Sequence, residues 1–473
     1  MSKTINVLFL AAEADPFIKV GGLGDVAGVL PRELRALSND EIKLDVRLVL
    51  PYHPAVKAEN LRPLDLFSIP RGDSEVGVEA FETTLNGLPV YFIGGEPIRA
   101  NGSVYSLDAA KDSEKYAFFS MAAMELPKHI NWQPDVIHAN DWHTSLSLYV
   151  NLTKRWEAGA KHVAGVITLH NLPFMGADVG AILESYGVKL AQTDLPEWAR
   201  VLPLPLGLWA SDAIVAVSPG YAGEVLTEEF GCGLYDFLNL RKESLSGILN
   251  GIDMVSFDPS VDKALSVNYS LDTFNRRAEN KELLQEKLGL VRDPNVPLLA
   301  VISRMDVQKG VDLAFTALKN MKRINFQAVI LGTGDPKLEE AARELQTLFP
   351  DKIKAELKFD ANLARQIYAG ADMILMPSRY EPCGLAQMIA MRYGCVPVVR
   401  SVGGLKDTVK PNETGFVFEK MHHMSLVSAI KAGMKTLTDR EKWETLQRNG
   451  MAKDFSWEAS AREYLKIYQS LVK

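Results

Sequence analysis

Arg304 and Lys309 stand five residues apart, directly after an apolar run that reads as a strand. A guanidinium offers a bidentate fork and an ammonium a compact point charge, so the pair could hold one diphosphate from two sides. Two cations in a loop are more commonly solvated charges without a function. Their position favours phosphate binding, because ligands of open α/β sheets lie beyond the carboxyl ends of the strands.

A glycine-rich loop near the start of the chain is a second candidate for phosphate binding. Lys19 is followed by Val-Gly-Gly-Leu-Gly and Asp25, and an amphipathic helical pattern comes next. Gly21 and Gly22 would let the backbone approach an anion, the helix would supply free N–H groups, and Lys19 would add a full charge. A plain tight turn explains a lone glycine cluster equally well.

The same glycines loosely fit the fingerprint of dinucleotide-binding enzymes, as Gly22-x-Gly24-x-x-Ala27. That fingerprint requires an acidic residue for the ribose at the end of the second strand. The second apolar run, Arg47 to Tyr52, ends instead in Pro and Tyr. The segment between the first strand and the glycines is also long for this motif. A hydride-transferring oxidoreductase with a nicotinamide cofactor is therefore the alternative function.

A third candidate loop, Met376-Pro-Ser-Arg-Tyr-Glu-Pro-Cys-Gly-Leu385, leads from a predicted strand into a predicted helix. Glu381 would place a carboxylate beside the helix N-terminus and near the two cations. Gly384 and Leu385 would offer the first free N–H groups of that helix. Capping of the helix is the structural alternative for Glu381.

Histidines follow apolar strands in the first half of the chain. His138 and His143 are five residues apart, a spacing that does not place both on one helical face, and no third ligand is evident. The sequence therefore predicts no metal site. His170 follows another strand with Asn171 beside it and could hydrogen-bond a polar substrate, although a lone histidine is more often a satisfied core residue.

These residues need strands that end at one edge of a sheet. Near-continuous apolar runs alternate with helical patterns in both halves of the chain, which favours parallel sheets covered by helices on both faces. Strands are predicted at residues 6–12, 44–50, 90–93, 135–138, 163–169, 296–303, 326–331, 353–359, 371–376 and 395–400. Helices are predicted at residues 25–37, 113–126, 142–158, 311–322, 336–348, 362–369, 384–393 and 457–472. The predicted fold class is α/β, with two doubly wound, Rossmann-like domains facing one another across a deep cleft.

Composition excludes several classes of function. The 473 residues, 47% of them hydrophobic, suffice for two large α/β domains and argue against disorder or coiled coils. The net charge of −7, without a basic run, argues against a nucleic-acid partner. No apolar run near the start is long enough to cross a bilayer, so no membrane partner is expected. Three cysteines cannot form a disulfide framework, and a cytoplasmic location follows.

Taken together, the motifs are far more specific than any one alone. In chain order they are Lys19-Val-Gly-Gly-Leu-Gly-Asp-Val, Asp141-Trp-His, His170-Asn, Asn250-Gly-Ile-Asp, Ser303-Arg, Gln308-Lys-Gly, Gly332-Thr-Gly-Asp-Pro, Pro377-Ser-Arg-Tyr-Glu-Pro-Cys-Gly-Leu, Gly403-Gly-Leu-Lys-Asp-Thr-Val and Thr414-Gly-Phe. This series closely resembles the bacterial and plant-type glycogen or starch synthases, glycosyltransferase family 5. The resemblance runs from about residue 5 to the final helix.

The resemblance implies the GT-B fold and a retaining hexosyltransferase. Such an enzyme moves glucose from ADP-glucose to the non-reducing end of an α-1,4-glucan (glycogen, starch or a maltooligosaccharide) and releases ADP, with no cofactor and no metal. The implied domains are an acceptor-side domain at residues 1–250 and a donor-side domain at 251–455. A helix at 456–473 is expected to pack back on the first domain. If the chain is the trimmed core of a plant enzyme, its expected location is a plastid rather than the cytoplasm.

Roles for individual residues also follow from the resemblance. Arg304 and Lys309 match the pair that neutralises the leaving diphosphate. Glu381 matches the acid near the 3-hydroxyl of the donor sugar, and His170 matches the residue near its 6-hydroxyl and developing positive charge. The other implied donor-side residues are Lys19, Gly21, Gly22 and Asp25 in the glycine loop, the sugar-binding Asn250, the base-stacking Phe359, and Gly384 and Leu385.

Two departures from the family pattern limit the assignment. Asn140 stands where the motif His-x-His-Asp-Trp-His usually has its second histidine, so no catalytic role is assigned there. Ile389 stands where the wider glycosyltransferase pattern has a second acid, which weakens only that broader label. A catalytically silent glucan-binding or priming homologue is a further alternative, which the intact Arg304, Lys309 and Glu381 disfavour. ADP-glucose is preferred over UDP-glucose on the resemblance alone.

Overall fold

The computed structural model of the protein describes residues 3–155 and 161–472. The chain divides into two compact units, Met1–Gly251 with Trp457–Lys473, and Ile252–Ser456. Each unit contains one large sheet with helices packed on it. The division follows the two predicted runs of alternating strands and helices, one before and one after residue 290.

The first unit is built on a mixed sheet. Its strands are β1 (Lys3–Leu10), β2 (Ile42–Pro51), β3 (Arg62–Pro63), β4 (Phe67–Arg71), β5 (Ser74–Leu85), β6 (Leu88–Gly94), β7 (Val136–Asn140), β8 (Ala164–Leu169), β9 (Ala213–Ala216) and β10 (Leu245–Gly247). The strand order is β10-β9-β8-β7-β1-β2-β6-β5-β3, and β4 pairs with β5 beside this path. Pairing is parallel from β10 to β6, whereas β3, β4 and β6 pair antiparallel with β5.

Helices cover this sheet and connect its parallel strands. They are α1 (Gly22–Ala36), α2 (Glu96–Arg99), α3 (Ala109–His129), α4 (Asp141–Arg155), α5 (Gly180–Ser185), α6 (Pro203–Ala210), α7 (Pro219–Glu224) and α8 (Tyr235–Leu240). Val7, Leu8, Phe9 and Leu10 in β1 are fully buried, because helices cover both faces of a central parallel strand. The chain reverses its direction of winding at β1, which lies between β2 and β7. This reversal is the place where open α/β sheets bind ligands.

The second unit has a wholly parallel sheet. Its strands are β11 (Leu298–Ile302), β12 (Gln327–Leu331), β13 (Ile353–Glu356), β14 (Met373–Met376), β15 (Val396–Arg400) and β16 (Phe416–Phe418), in the order β13-β12-β11-β14-β15-β16. Its helices are α9 (Arg277–Lys287), α10 (Val311–Asn320), α11 (Pro336–Leu348), α12 (Ala361–Gly370), α13 (Ala386–Arg392), α14 (Gly403–Thr408), α15 (His423–Leu437) and α16 (Arg440–Met451). The winding reverses at β11, between β12 and β14.

The last helix, α17 (Trp457–Leu471), belongs to the first unit although it follows the second in sequence. Its Trp457, Ala461, Tyr464 and Tyr468 join the core that β1, β2 and α1 form. Tyr468 Oη lies 2.6 Å from His138 Nδ1, and His138 Nε2 lies 2.7 Å from the hydroxyl of Thr168. The apolar face of α17 and this buried polar chain hold the end of the protein on β7 and β8.

Most differences from the predicted elements lie at their ends. The strand predicted at 353–359 ends at Glu356, and the helix predicted at 384–393 begins only at Ala386. The helix predicted at 142–158 is present as α4 up to Arg155, and residues 156–158 lie outside the described residues. The antiparallel strands β3, β4 and β5 were not predicted. They extend the predicted parallel sheet of the first unit at one edge.

Among the helices at residues 3–155 and 161–472, none has the length and apolar character needed to cross a bilayer.

Candidate active site

The loop after β1 is organised by a carboxylate of the chain itself. The side chain of Glu13 accepts hydrogen bonds from the backbone N–H of Val20 and from that of Gly21, whose nitrogen lies 3.0 Å from both carboxylate oxygens. The hydroxyl of Tyr105 donates to the same carboxylate at 2.9 Å. Burial raises the pKa of Glu13, and the N–H donors act in the opposite direction. The N–H of Gly21, expected to face an anionic ligand, is thus already bound to Glu13.

The N-terminus of α1 remains open beside this clamp. Gly21 is the N-cap residue and provides no side-chain cap. Within the described residues, the backbone nitrogens of Gly22 and Leu23 have no hydrogen-bond acceptor. A Cβ atom at Gly22 would meet nothing within 4 Å, so the approach to these N–H groups is clear. Two free N–H groups at the positive end of a 15-residue helix can bind an anion.

Lys19 and Asp25 form an ion pair across this loop, with Nζ 2.5 Å from Oδ1. The side chain of Lys19 is 44% exposed and its ammonium also lies 4.0 Å from Asp15. Burial raises the pKa of Asp25, while Lys19 lowers it. The lysine charge predicted to face a phosphate is therefore shared with carboxylates, and an incoming anion would have to compete with them.

A second group of polar side chains lies where β7 and β8 end. Asp141 adopts a positive φ of 53°, and its Oδ1 accepts the backbone N–H groups of His170 at 2.7 Å and Asn171 at 3.2 Å. His170 Nε2 lies 2.9 Å from Asn140 Oδ1. Burial raises the pKa of Asp141 to about 7 and lowers that of His170 to about 3. His170 is consequently a neutral imidazole at physiological pH.

Among the residues that the structure describes in the first unit, two side-chain amide oxygens are buried without a hydrogen-bond partner. Asn250 is 8% exposed, and its Oδ1 has no hydrogen bond; Asn171 Oδ1 is in the same condition. Leaving a buried polar atom unpaired costs about 1–3 kcal/mol, so such atoms are expected where a ligand completes the hydrogen bonding. For Asn250 this agrees with the predicted contact to a sugar, which stays a prediction.

His138 and His143 are each packed against side chains of the first unit. His138 is held in the core by Tyr468 and Thr168. The ring of His143 contacts the rings of Tyr105 at 4.8 Å and Trp142 at 4.2 Å, and burial lowers its pKa. Within residues 3–155 and 161–472, no three His, Cys, Asp or Glu side chains are grouped so that they could hold a metal ion.

In the second unit, the loops after β11 and β14 bring Lys309 and Glu381 together. Lys309 Nζ lies 2.7 Å and 2.9 Å from the two carboxylate oxygens of Glu381. Ser378 Oγ donates to the same carboxylate at 3.0 Å. The side chain of Glu381 is 5% exposed and that of Lys309 is 21% exposed. Glu381 is therefore a buried, paired carboxylate, and its contacts are those of an ion pair rather than a helix cap.

Further contacts lock these two loops against each other. The guanidinium of Arg379 pairs with both carboxylate oxygens of Asp312, at 2.8 and 2.7 Å. The backbone N–H of Arg379 donates to Gln308 O at 2.7 Å. Gly310 has a φ of +64°, and a Cβ atom there would lie 2.1 Å from the carbonyl oxygen of Pro377. Only glycine permits this approach, which sets the position of the neighbouring Lys309.

Other donor-side residues of the second unit are less tightly placed. The side chain of Arg304 is 71% exposed and pairs with Asp306 at 3.3 Å, so Arg304 does not join the Lys309–Glu381 pair. Phe359 follows the end of β13 and is 88% exposed. Leu385 is the N-cap of α13, and Gly384 precedes it with a φ of +75°. The first N–H groups of the helix were predicted at Gly384 and Leu385, whereas α13 begins at Ala386.

Three contacts of these sites were missed by sequence reasoning. Glu13 accepts hydrogen bonds from the glycine loop, and Tyr105 donates one to Glu13. Asn140 is hydrogen-bonded to His170. The available signals were an acidic residue just after an apolar strand and an amide at the end of β7. Neither signal indicates which residue is contacted, because Tyr105 lies 92 residues from Glu13 and His170 lies 30 residues from Asn140.

Comparison with known proteins gives one consistent result. The family profile described as starch synthase catalytic domain matches residues 6–240, and that of glycosyl transferases group 1 matches residues 281–451. The glycogen synthase of Streptococcus sanguinis is 37% identical over 99% of this chain and 100% of its own. That of Clostridium beijerinckii is 40% identical over 99% of both chains.

Solved structures agree. The catalytic domain of starch synthase IV from Arabidopsis thaliana, bound to ADP and acarbose, has a TM-score of 0.88 and 32% identity, covering 99% of this chain and 100% of that one. Sucrose-phosphate synthase from Thermosynechococcus elongatus, at 20% identity and a TM-score of 0.63 over 99% of both chains, shares the fold. Two Rossmann-like units with polar residues at the carboxyl ends of their strands define a GT-B glycosyltransferase. The chain belongs to the family of glycogen and starch synthases. This membership replaces the oxidoreductase alternative.

Proposed function

We propose that the protein transfers glucose from ADP-glucose to the non-reducing end of an α-1,4-glucan, with retention at the anomeric carbon and release of ADP. The observation that carries the proposal is the Lys309–Glu381 pair, a partly buried cation and a buried carboxylate in the loops after β11 and β14. The choice of donor and acceptor is supported by the similarity of the chain, over 99% of its length, to a starch synthase bound to ADP and acarbose.

Lys309 is the main candidate for holding the diphosphate. Its side chain is only 21% exposed and its ammonium is held by Glu381, so the ammonium is oriented before substrate arrives. An ammonium has three N–H donors, so Lys309 can donate to a phosphate oxygen while it stays bound to Glu381. Arg304, which is exposed and pairs with Asp306 at 3.3 Å, can turn toward the same diphosphate. In the first unit, the open N–H groups of Gly22 and Leu23 suit an anionic group.

Bond cleavage places new charge where these donors act. The bond between the anomeric carbon and the phosphate oxygen breaks with its electron pair on the oxygen, and the sugar becomes positively charged. The 4-hydroxyl oxygen of the acceptor forms the new bond to that carbon, and its proton passes to the departing diphosphate. Lys309 stabilises the released charge without reorganisation, which is the main source of rate enhancement at such sites.

Sugar and base contacts are assigned to the remaining residues. Neutral His170 offers a ring nitrogen to a sugar hydroxyl, and the unpaired Oδ1 atoms of Asn250 and Asn171 offer acceptors. Glu381 can accept a hydrogen bond from a sugar hydroxyl at a remaining lone pair while it holds Lys309. The exposed ring of Phe359 offers a flat apolar surface on which a purine base can stack. A preference for adenine over uracil rests on the family relationship.

The test is the release of nucleoside diphosphate. The purified protein is incubated with ADP-glucose or UDP-glucose, with and without glycogen, and ADP or UDP is measured. The proposal expects glycogen-dependent ADP release that exceeds UDP release and that Lys309→Ala abolishes. Binding of glucan without diphosphate release from either donor would establish the catalytically silent homologue instead. Release of diphosphate without acceptor would indicate hydrolysis.

A cytoplasmic location is part of the proposal. Within the described residues no cysteine is in a disulfide, Cys383 and Cys395 are buried and Cys232 is partly exposed, which suits a reducing compartment. Cell fractionation with antibody detection would test this location.

A further inference from the structure

Asn140 has no role in the assignment above, yet its side chain is fully buried against His170. Its Oδ1 lies 2.9 Å from His170 Nε2, and its Nδ2 donates to the carbonyl oxygen of Leu10 at 2.9 Å. The main chain of Asn140 is held by Thr144, whose hydroxyl accepts from Asn140 N at 2.6 Å and donates to Asn140 O at 3.0 Å. Neither the backbone nor the amide is free to turn.

This geometry fixes the proton on the imidazole. Leu10 O can only accept, so it must face the NH₂ group of the amide, and Asn140 Oδ1 must face His170. An amide oxygen can only accept as well, so His170 Nε2 must carry a proton. In a neutral ring the other nitrogen, Nδ1, is then unprotonated and is a hydrogen-bond acceptor. Nδ1 has no partner among the described residues and is not sealed from solvent.

The surroundings keep the ring neutral and in place. Asp141, at the start of α4, binds the main-chain N–H groups of His170 and Asn171. The other titratable groups near the ring are His138 on β7 and His143 on α4, both imidazoles whose pKa burial lowers. Tyr105 is near Asp141, and burial raises the pKa of its phenol. The ring therefore has no anionic hydrogen-bond partner that would favour a second proton.

We propose that Asn140 is a positioning residue that holds His170 in the Nε2–H tautomer, so that Nδ1 presents an acceptor to a hydroxyl of the donor sugar. The inference rests on the proposed function for the identity of that hydroxyl, but the tautomer is a property of the free protein. A hydroxyl group can donate to Nδ1, whereas an imidazolium or the opposite tautomer would meet it with N–H. Asn140 thereby makes the site selective for a hydrogen-bond donor.

The tautomer is tested on the protein without substrate. Histidine labelled with ¹⁵N in the ring is incorporated, and His170 is assigned by the signal that His170→Gln removes. The proposal expects a pyrrole-type Nε2 and a pyridine-type Nδ1 at neutral pH. Asn140→Leu, which has similar volume and no acceptor, should give a mixture of tautomers. A pyrrole-type Nδ1 in the wild-type protein, or an unchanged Nε2–H tautomer in a folded Asn140→Leu variant, would overturn the proposal.

The consequence for catalysis is tested by a pH profile. Asn140→Asp keeps an oxygen facing Nε2 but adds negative charge, which favours the doubly protonated ring. The acid limb of kcat/KM should move up by at least one pH unit, because a ring whose pKa is about 3 becomes easier to protonate, while KM for glucan changes little. Asn239→Asp, an exposed substitution in the same unit, is the control and should leave the profile unchanged. The shift should vanish in a His170→Ala background.

An acid limb that does not move in Asn140→Asp, or that still moves without His170, would contradict the positioning role. The two proposals can fail separately. If the wild-type protein releases no ADP, the proposed function fails while the ring tautomer can still be measured. If ADP is released normally and His170 has the opposite tautomer, only the role of Asn140 fails.

Discussion

Lys309 and Glu381 are 72 residues apart in sequence and form an ion pair whose carboxylate is almost fully buried. Burying a charged pair is expensive, so such a pair is weak support for stability and better explained by a need to place charge. A preorganised ammonium acts on the charge that develops on a leaving diphosphate without moving first. The clearest residue-level predictions therefore concern the two cations.

Removing either cation should lower turnover far more than it weakens donor binding. Lys309→Ala is expected to reduce kcat about 100- to 1,000-fold, the usual effect of losing one preorganised donor. Arg304→Ala should reduce kcat by a smaller factor, because the exposed guanidinium of Arg304 must first turn toward the phosphate. Lys319→Ala, an exposed lysine on the adjacent α10, is the control and should keep wild-type kcat. Steady-state kinetics with varied ADP-glucose measure the effect. If both active-site variants fold and stay within a few-fold of the wild type, the diphosphate assignment is wrong.

Lys309→Arg separates charge from shape. Arginine keeps the charge but replaces a compact ammonium with a wide planar fork, which does not fit between Glu381 and a phosphate oxygen in the same way. We expect at least a tenfold loss of kcat, with folding unchanged by circular dichroism. Wild-type kinetics in this variant would show that only net charge matters at this position.

Asp141 predicts a pH-dependent stability. Its pKa in the folded protein is about 7, because burial disfavours the charged carboxylate, whereas the ordinary value is 3.8. The folded state holds the proton more tightly, so this stabilising contribution is present below pH 3.8 and is lost as pH rises through 7. An asparagine at this position does not titrate, so Asp141→Asn removes this decrease in the unfolding free energy. Relative to wild type, its unfolding free energy should rise between pH 5 and pH 8 by up to about 3 kcal/mol.

Urea unfolding of both proteins at the two pH values measures this difference. Asp212→Asn is a suitable control, because hydrogen bonds from Arg155 and Gly165 outweigh burial and lower the pKa of that carboxyl. The stability difference for this control should not rise in the same window. A pH-independent difference between wild type and Asp141→Asn would show that the carboxyl of Asp141 is ionised throughout.

At the scale of elements, the docking of α17 depends on a short buried polar chain. Tyr468, His138 and Thr168 share hydrogen bonds of 2.6 and 2.7 Å, and Tyr464 Oη lies 3.1 Å from the hydroxyl of Thr168. This chain joins the helix to β7 and β8, two residues before Asn140 and His170. The helix therefore supports the strands that carry the site.

Tyr468→Phe should destabilise the first unit. Loss of the hydroxyl leaves His138 Nδ1 buried and unpaired, at a cost of about 1–3 kcal/mol. Lys466→Ala, an exposed position on the same helix, should change stability by no more than about 0.5 kcal/mol. Chemical denaturation measures both. Equal stabilities for Tyr468→Phe and wild type would mean that the polar chain contributes nothing to docking α17.

Gly310 and Gly289 allow a matched test of loop packing in the second unit. Both have a left-handed φ, +64° and +65°, but a Cβ at Gly310 would lie 2.1 Å from Pro377 O, whereas one at Gly289 would meet nothing within 4 Å. Gly289→Ala should cost about 1–2 kcal/mol of stability from strain and leave kcat unchanged. Gly310→Ala should cost more and lower kcat at least tenfold, because the loops of Lys309 and Glu381 must separate. Equal effects of the two substitutions on kcat would contradict the packing role.

The central elements could be predicted from sequence, whereas edges and partners could not. Strands such as β1, β7 and β11 are buried on both faces and give continuous apolar runs, which are distinctive. The antiparallel β4 and β5 are half-exposed, and their mixed pattern resembles a loop. Strand-end position identified Lys309 and His170. It could not show that Glu13 occupies the N–H groups of the glycine loop, because that contact depends on how the loop folds back.

At the scale of the whole molecule, the family relationship covers both units, since relatives of 37–40% identity align with 99% of the chain. The proposed reaction uses cations of the protein rather than a metal ion to neutralise the diphosphate. We therefore expect glycogen-dependent ADP release to continue after exhaustive treatment with EDTA and not to rise when Mg²⁺ or Mn²⁺ is restored. Loss of activity with chelator and its recovery with a divalent cation would refute the metal-independent mechanism.

The most direct test of the proposed function is the fate of a labelled glucosyl group. The wild-type protein is incubated with ADP-[¹⁴C]glucose and glycogen, and the recovered glucan is treated with an exo-acting amylase that removes maltose from α-1,4-linked non-reducing ends. The account predicts that label enters the glucan in step with ADP release and is then recovered as labelled maltose. Label that stays out of the glucan, or that resists the amylase, would contradict transfer with retention to the non-reducing end.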